Sequence, residues 1–268
     1  MTGPARGPWP FVAGASVQGR DHRMGGRENQ DAFGARVCAD GQALVLAVSD
    51  GAGSRPRSAL GSHIAVDSAV RVLGDGMPGA DGTDGQWQSW LSGAARAIVD
   101  DYLRIAAVAS TATTPEPPEE LAATLTAAVV CPPWVAFVSV GDSFGAVLTA
   151  GPPERCQLVL PPRIDPRGTD FISSPWAKDM LRCLVLRDPQ LSGVVLTTDG
   201  CATLALDHPT AVGLDPASGP QPSAAFFVGL AAAVRADGGD SEPIHRLLTG
   251  EPAIRCTDDL TVLCALAA

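Results

Sequence analysis

Four short acid-bearing turns stand where this chain could do chemistry: Ser49-Asp50-Gly51, Gly141-Asp142-Ser143, Thr198-Asp199-Gly200 and Thr257-Asp258-Asp259. Each abuts an apolar run of strand type. Ala43 to Val48, Val135 to Val140 and Val194 to Thr198 deliver an aspartate at their C-terminal ends, and Asp258 and Asp259 lead into Leu260 to Leu266. An ionised carboxylate at the mouth of a buried strand is costly unless it is paired or binds a cation. Several from distant segments therefore point to one metal centre, and oxygen-only ligands point to a hard cation, Mg²⁺ or Mn²⁺. Two such ions about 3.5 to 4 Å apart can activate a water and neutralise charge on a phosphoryl group. Glycine after aspartate suits a bridging ligand, because the backbone can approach the ions and its carbonyl can add a ligand; Asp50-Gly51 and Asp199-Gly200 both qualify.

The elements that must position these turns are mixed. Phe11 to Val17, Ala32 to Val37 and Ala43 to Val48 read as strands, the last two joined through Asp40-Gly41, a hairpin signal. Ser58 to Leu73 and Trp87 to Val108 carry helical periodicity. After the Pro115 to Pro118 break, Leu125 to Cys131, Val135 to Val140 and Gly145 to Ala150 predict a β-meander with Asp142 at a hairpin tip. Cys156 to Leu160 and Val194 to Thr198 add strands around an irregular, Pro-punctuated stretch from Pro161 to Gln190, where substrate selectivity is expected. Pro222 to Arg235 and Glu242 to Leu248 predict helices. Strands joined by hairpins, with long helices between groups, imply an α+β fold in which sheet packs on sheet and helices lie outside. Residues 1–10 read as a disordered tail and 11–268 as one domain.

Composition narrows the classes. The 268 residues are 46% apolar and 18% charged, enough to bury a full core. A net charge of −10 with one lysine, Lys178, argues against a nucleic-acid or anionic-membrane surface. Seven scattered cysteines without a CxxC pair read as reduced small hydrophobes. With no signal-like or membrane-length apolar run, the expected location is cytoplasmic. No cysteine has an arginine six positions on, no GxxxxGK[ST] loop occurs and no Asp-x-Asp strand end is present, so other phosphoryl-transfer chemistries lack their signatures.

The order Gln30-Asp31-Ala32, Ser49-Asp50-Gly51-Ala52-Gly53-Ser54, Gly141-Asp142-Ser143, Thr198-Asp199-Gly200 and Asp258-Asp259-Leu260-Thr261 resembles the protein phosphatase 2C family of metal-dependent protein phosphatases, over about residues 11 to 268. The stretch from His22 to Ala32 is similar to a bacterial branch of that family. The resemblance implies a four-layer α/β/β/α sandwich with two mainly antiparallel sheets, and two or three Mn²⁺ or Mg²⁺ ions. Asp50 would bridge two metals with the Gly51 carbonyl beside it, Asp199 and Asp258 would complete a shell, and Asp142 would help to hold a third ion. Asp31 would support metal-bound water, and a metal-activated water would attack the phosphorus of phosphoserine or phosphothreonine; Asp31, Asp50 and Asp199 are thus the catalytic set. A Ser/Thr kinase is the implied regulatory counterpart, in signalling.

Three positions depart from the family pattern. Gln30 replaces a glutamate as candidate metal ligand, Phe144 replaces an arginine, and Gly26 stands where a phosphate-binding arginine is expected, leaving Arg27, His22 or Arg23 for that contact. Active phosphatase is the favoured reading because the aspartates at 50, 199 and 258 are intact. The alternatives are a catalytically impaired adaptor that binds a kinase or phosphoprotein, and a small-molecule phosphate-ester hydrolase.

Overall fold

A computed structural model describes residues 9–38, 41–111, 118–162 and 168–268. Those residues form twelve strands and six α-helices, numbered in chain order. One five-stranded sheet holds β2 (Ala32–Cys38), β3 (Ala43–Ser49), β4 (Leu125–Cys131), β5 (Trp134–Val140) and β8 (Arg182–Arg187), in the order β2-β3-β4-β5-β8. The other holds β1 (Phe11–Val17), β6 (Phe144–Thr149), β7 (Arg155–Leu160), β9 (Leu191–Thr197) and β12 (Leu260–Leu266), in the order β1-β12-β9-β6-β7. All of these pairings are antiparallel.

Period-two alternation sorts the strand side chains into layers. Leu44, Leu46 and Val48 meet Val194, Leu196, Leu263 and Ala265 between the sheets. Val45 and Ala47 on the opposite face of β3 pack under helices α2 (Ser58–Leu73) and α3 (Asp84–Thr111). On the far side Ala13, Ala15, Val262, Cys264 and Leu266 pack under α5 (Ala224–Ala236) and α6 (Glu242–Thr249). The result is the expected four-layer α/β/β/α sandwich. Because both faces of β3, β4, β5 and β12 are buried, these strands read as unbroken apolar runs. Trp87 stacks on Trp134 at 6.1 Å between ring centroids and meets Trp90 edge-on at 5.5 Å, which places these rings in the packing between α3 and its sheet.

The sequence expectations need three corrections. Leu125 to Ala150 is not one meander: β4 and β5 form a hairpin, but β6 belongs to the other sheet, so Asp142 sits on a crossing between sheets. Gly141 makes that crossing with φ 104°, and a Cβ there would lie 2.6 Å from the Thr124 side chain. Secondly, the stretch from Pro161 to Gln190 contains a strand, β8, at a sheet edge. Thirdly, a short helix α1 (Arg20–Met24) precedes β2, while α4 (Ala202–Ala205) and a two-residue ribbon of β10 (Leu206–Asp207) and β11 (Gln221–Pro222) follow Asp199. The expected disordered tail lies almost wholly within residues 1–8, outside the described residues, as do Ala39-Asp40 of the hairpin turn and most of the proline break. No described helix is long and apolar enough to cross a membrane.

Candidate metal centre

Antiparallel pairing is what gathers the acidic turns. Ala32 pairs with Ser49, so Asp31 and Asp50 emerge together at one end of β2 and β3. Val48 pairs with Thr126, which carries Thr124 to the side of Asp50. In the other sheet Val262 pairs with Thr197, which brings Asp258 and Asp259 beside Asp199. The β5–β6 crossing then supplies Asp142 from between the two sheets.

Asp50, Asp142 and Asp199 each offer a carboxylate oxygen such that all three atoms lie within 4.8 Å of one another. Burial raises the Asp50 carboxyl well above the usual range, and the charges of Asp31, Asp199, Asp258 and Asp142 add to the effect. Asp199 is pushed up to about 7, first by burial and then by the charges of Asp142 and Asp258. Asp142 Oδ2 accepts a 2.6 Å hydrogen bond from Thr169 Oγ1, while its buried Oδ1 has no protein partner. Crowded carboxylates and an unpartnered buried oxygen fit a cation among these three residues.

Asp31 is 6% exposed and bridges the two sheets: its Oδ2 accepts from Thr198 Oγ1 at 2.8 Å and from Thr261 Oγ1 at 2.6 Å. Its carboxyl is raised to about 7, chiefly by burial, against the pull of the two hydroxyls. The Oδ1 atom is buried without a partner.

Asp258 belongs to a second group with His22 and Asp259, again with one ligand atom from each within 4.8 Å. Asp259 is the anchor of that group. It accepts from the Gly19 N–H at 2.7 Å and the Gln30 N–H at 2.6 Å, and its Oδ2 lies 2.9 Å from His22 Nδ1. Of the three candidates for phosphate contact, His22 is therefore buried against Asp259, Arg23 is exposed, and Arg27 reaches Gly53, whose carbonyl accepts from Nη1 at 2.7 Å. Arg27 also lines a hollow of about 570 Å³ with Gln30, Ser54 and Arg55. Gln30 is 5% exposed with Oε1 unpartnered, and its carbonyl accepts the Gly51 N–H at 3.1 Å, which fixes the turn after Asp50.

Sequence patterns did not point to Thr124 or Thr169. Thr124 Oγ1 accepts the Asp50 N–H at 3.0 Å and lies 3.1 Å from Ser143 Oγ, joining two acidic turns. Neither threonine has a motif around it; fully buried hydroxyls such as that of Thr124 become informative only once the strands are placed.

The fold and the acidic centre define a metal-dependent phosphatase class. The sequence signature of protein phosphatase 2C matches residues 18–248, and the chain belongs to that family. Among solved structures it is similar to serine/threonine phosphatase Stp1 from Staphylococcus aureus, with a TM-score of 0.64 at 13% identity over 100% of this chain and 99% of that one. Serine-threonine phosphatase 2C from Toxoplasma gondii gives 0.63 at 14% identity over 97% and 96%. The catalytic domain of the serine threonine protein phosphatase PstP, solved in complex with two manganese ions, gives 0.56 at 19% identity over 96% and 97%. None of the curated proteins compared matches the sequence.

Proposed function

We propose that this chain is a Mn²⁺- or Mg²⁺-dependent phosphatase of phosphoserine and phosphothreonine in proteins. The convergence of Asp50, Asp142 and Asp199 from three segments to within 4.8 Å carries the reading. Asp50, the Gly51 carbonyl, Asp199, Asp258, Asp142 and Gln30 are the groups that would hold the cations. When bound, these supply an acidified water and neutralise charge on the phosphoryl oxygens. Asp31, with Oδ2 committed to two threonines, keeps Oδ1 to accept a hydrogen bond from the attacking water and orient it. Arg27 holds the phosphate from the neighbouring hollow. His22 acts by fixing Asp259, and through it the backbone of Gln30, rather than by touching phosphate.

The wider reading is a bacterial, cytoplasmic signalling enzyme that opposes a Ser/Thr kinase; of this, the seven unpaired cysteines support only the reducing compartment. The experiment is hydrolysis of a generic aryl phosphate and of phosphopeptides. Activity should require Mn²⁺ or Mg²⁺, vanish with chelator, and fall at least about 10³-fold in Asp50→Asn or Asp199→Asn proteins that remain folded. Metal-saturated wild type that turns over neither compound refutes the proposal.

A further inference from the structure

Beside the acidic centre lies a groove of about 750 Å³ whose apolar wall the chemistry above does not use. Asp142 and Asp199 are among its lining residues, and Leu206, Pro209, Pro216 and Pro220 form much of its wall. Its surface is mainly apolar, and among the described residues no lysine or arginine lines it; the ionisable lining groups are Asp142, Asp199, Asp207 and His208.

The wall is stiff. Two short turns, Pro209–Val212 and Pro216–Ser218, each begin with a proline, whose ring fixes φ. Asp215 caps the second turn by accepting the Ala217 N–H at 2.8 Å, and His208 Nδ1 lies 2.7 Å from Thr210 Oγ1 at the first. Gly213 and Gly219 close the turns at φ 77° and 71°, and the β10–β11 pairing ties the base of the segment. A preformed apolar wall binds a flexible chain at lower ordering cost than a mobile one.

Resting on the phosphatase reading, we infer that this groove seats the residues next to the phosphorylated side chain, and that it selects phosphopeptides with bulky apolar rather than acidic neighbours. The continuity of the groove with Asp142 and Asp199 makes the occupant a peptide whose phosphate reaches the cations that those aspartates would hold. The apolar wall sets the preference: Leu or Phe would bury against leucine and proline, whereas an acidic side chain would lose its water against the same wall, beside Asp207. Selectivity is thereby assigned largely to the segment after Asp199, with Pro162, Gly168 and Thr169 also lining the groove.

The test compares phosphoserine peptides identical except for two flanking positions, occupied by Leu and Phe or by Glu and Glu. With Mn²⁺ and wild-type protein, kcat/KM for the apolar peptide should exceed that for the acidic one by roughly 10-fold or more. In Pro220→Lys, and in Pro216→Lys at an exposed position where folding is least at risk, the ratio should fall to about one or invert. Equal rates for the two peptides in wild type, or an unchanged ratio in both variants, overturn the inference. Wild type that fails even on aryl phosphate refutes the phosphatase reading instead. Fluorescence anisotropy of the labelled peptides then decides the groove separately: tighter binding of the apolar peptide, weakened by Pro220→Lys, supports it, and equal binding overturns it.

Discussion

Thr124 and Asp50 clamp each other through two hydrogen bonds: Thr124 Oγ1 accepts the Asp50 N–H at 3.0 Å, and the Asp50 carbonyl accepts the Thr124 N–H at 2.8 Å. The carboxylate of Asp50 can be placed accurately because its backbone is held on both sides. A second contact, 3.1 Å from Thr124 Oγ1 to Ser143 Oγ, couples that turn to the one carrying Asp142. Thr124→Val keeps the shape but leaves the Asp50 N–H without its acceptor, an omission that costs about 1–3 kcal/mol at a buried site. Metal-dependent aryl phosphatase activity should fall about tenfold or more, with weaker Mn²⁺ binding by calorimetry. Thr124→Ser, which retains the hydroxyl, should recover most of both; a Thr124→Val protein with wild-type kinetics would show that the clamp is dispensable.

Gly200 makes a different kind of demand on the site. A Cβ at this position would lie 2.0 Å from the Asp259 carbonyl oxygen, and backbone cannot yield as a side-chain end can. Gly200→Ala must therefore push the Asp258-Asp259 turn away from Asp199. Overpacking of this kind costs about 1–3 kcal/mol, so we expect a lower melting temperature together with Mn²⁺ affinity reduced by about tenfold. Gly229 is the matched control, a helical glycine with nothing within 4 Å of the added Cβ. Gly229→Ala should stabilise by about 0.5–1 kcal/mol and leave metal binding alone.

What the sequence made legible follows from burial. Helix Ser58–Leu73 and strands Phe11–Val17, Leu125–Cys131 and Leu260–Leu266 have the expected bounds, because a continuous apolar run or a clear helical stripe identifies each. Strand β8, Arg182–Arg187, did not stand out: it is a half-buried edge strand with arginine at both ends inside a polar stretch. The assignment of β5 and β6 to different sheets was hidden for the opposite reason. Both strands are buried on both faces, so nothing in their patterns says which sheet each joins. The acidic turns themselves were visible, since aspartate at a strand end contrasts with its apolar neighbours. The threonines that hold Asp31, Asp50 and Asp142 were not assigned that role, because it depends on partners far away in sequence.

The raised carboxyls make metal-free stability depend on pH in an uncommon direction. Asp31 and Asp199 lie at about 7, and Asp50 is also raised, against an ordinary value of 3.8. Between those values the folded chain holds more protons than the unfolded chain, so stability falls as pH rises from about 4 through 7. With chelator present, the melting temperature should drop by several degrees between pH 5.5 and pH 8. Asp199→Asn should flatten that slope, because a neutral amide has no charge to bury. Mn²⁺ should protect more at pH 8 than at pH 6, since cations bind the ionised form. A chelated protein whose melting temperature is constant or rises over this range would contradict the crowded-carboxylate picture.

Gln30 allows the metal and protein contributions to be separated. Its Oε1 is buried without a partner, and its main chain is pinned on both sides, by Asp259 accepting the N–H and by Gly51 donating to the carbonyl. Gln30→Glu would thus place a second acidic oxygen pair where the amide now sits, with little freedom to move away. Without metal, an extra buried carboxylate at this position should destabilise the fold by about 1–3 kcal/mol, read as a lower melting temperature in chelator. With metal, the added charge should tighten binding, so that the Mn²⁺ concentration for half-maximal activity falls several-fold and the stability deficit disappears. If Gln30→Glu instead lowers stability equally with and without Mn²⁺ and leaves the half-activating concentration unchanged, Gln30 does not face the cations and its role is limited to holding the Gly51 turn.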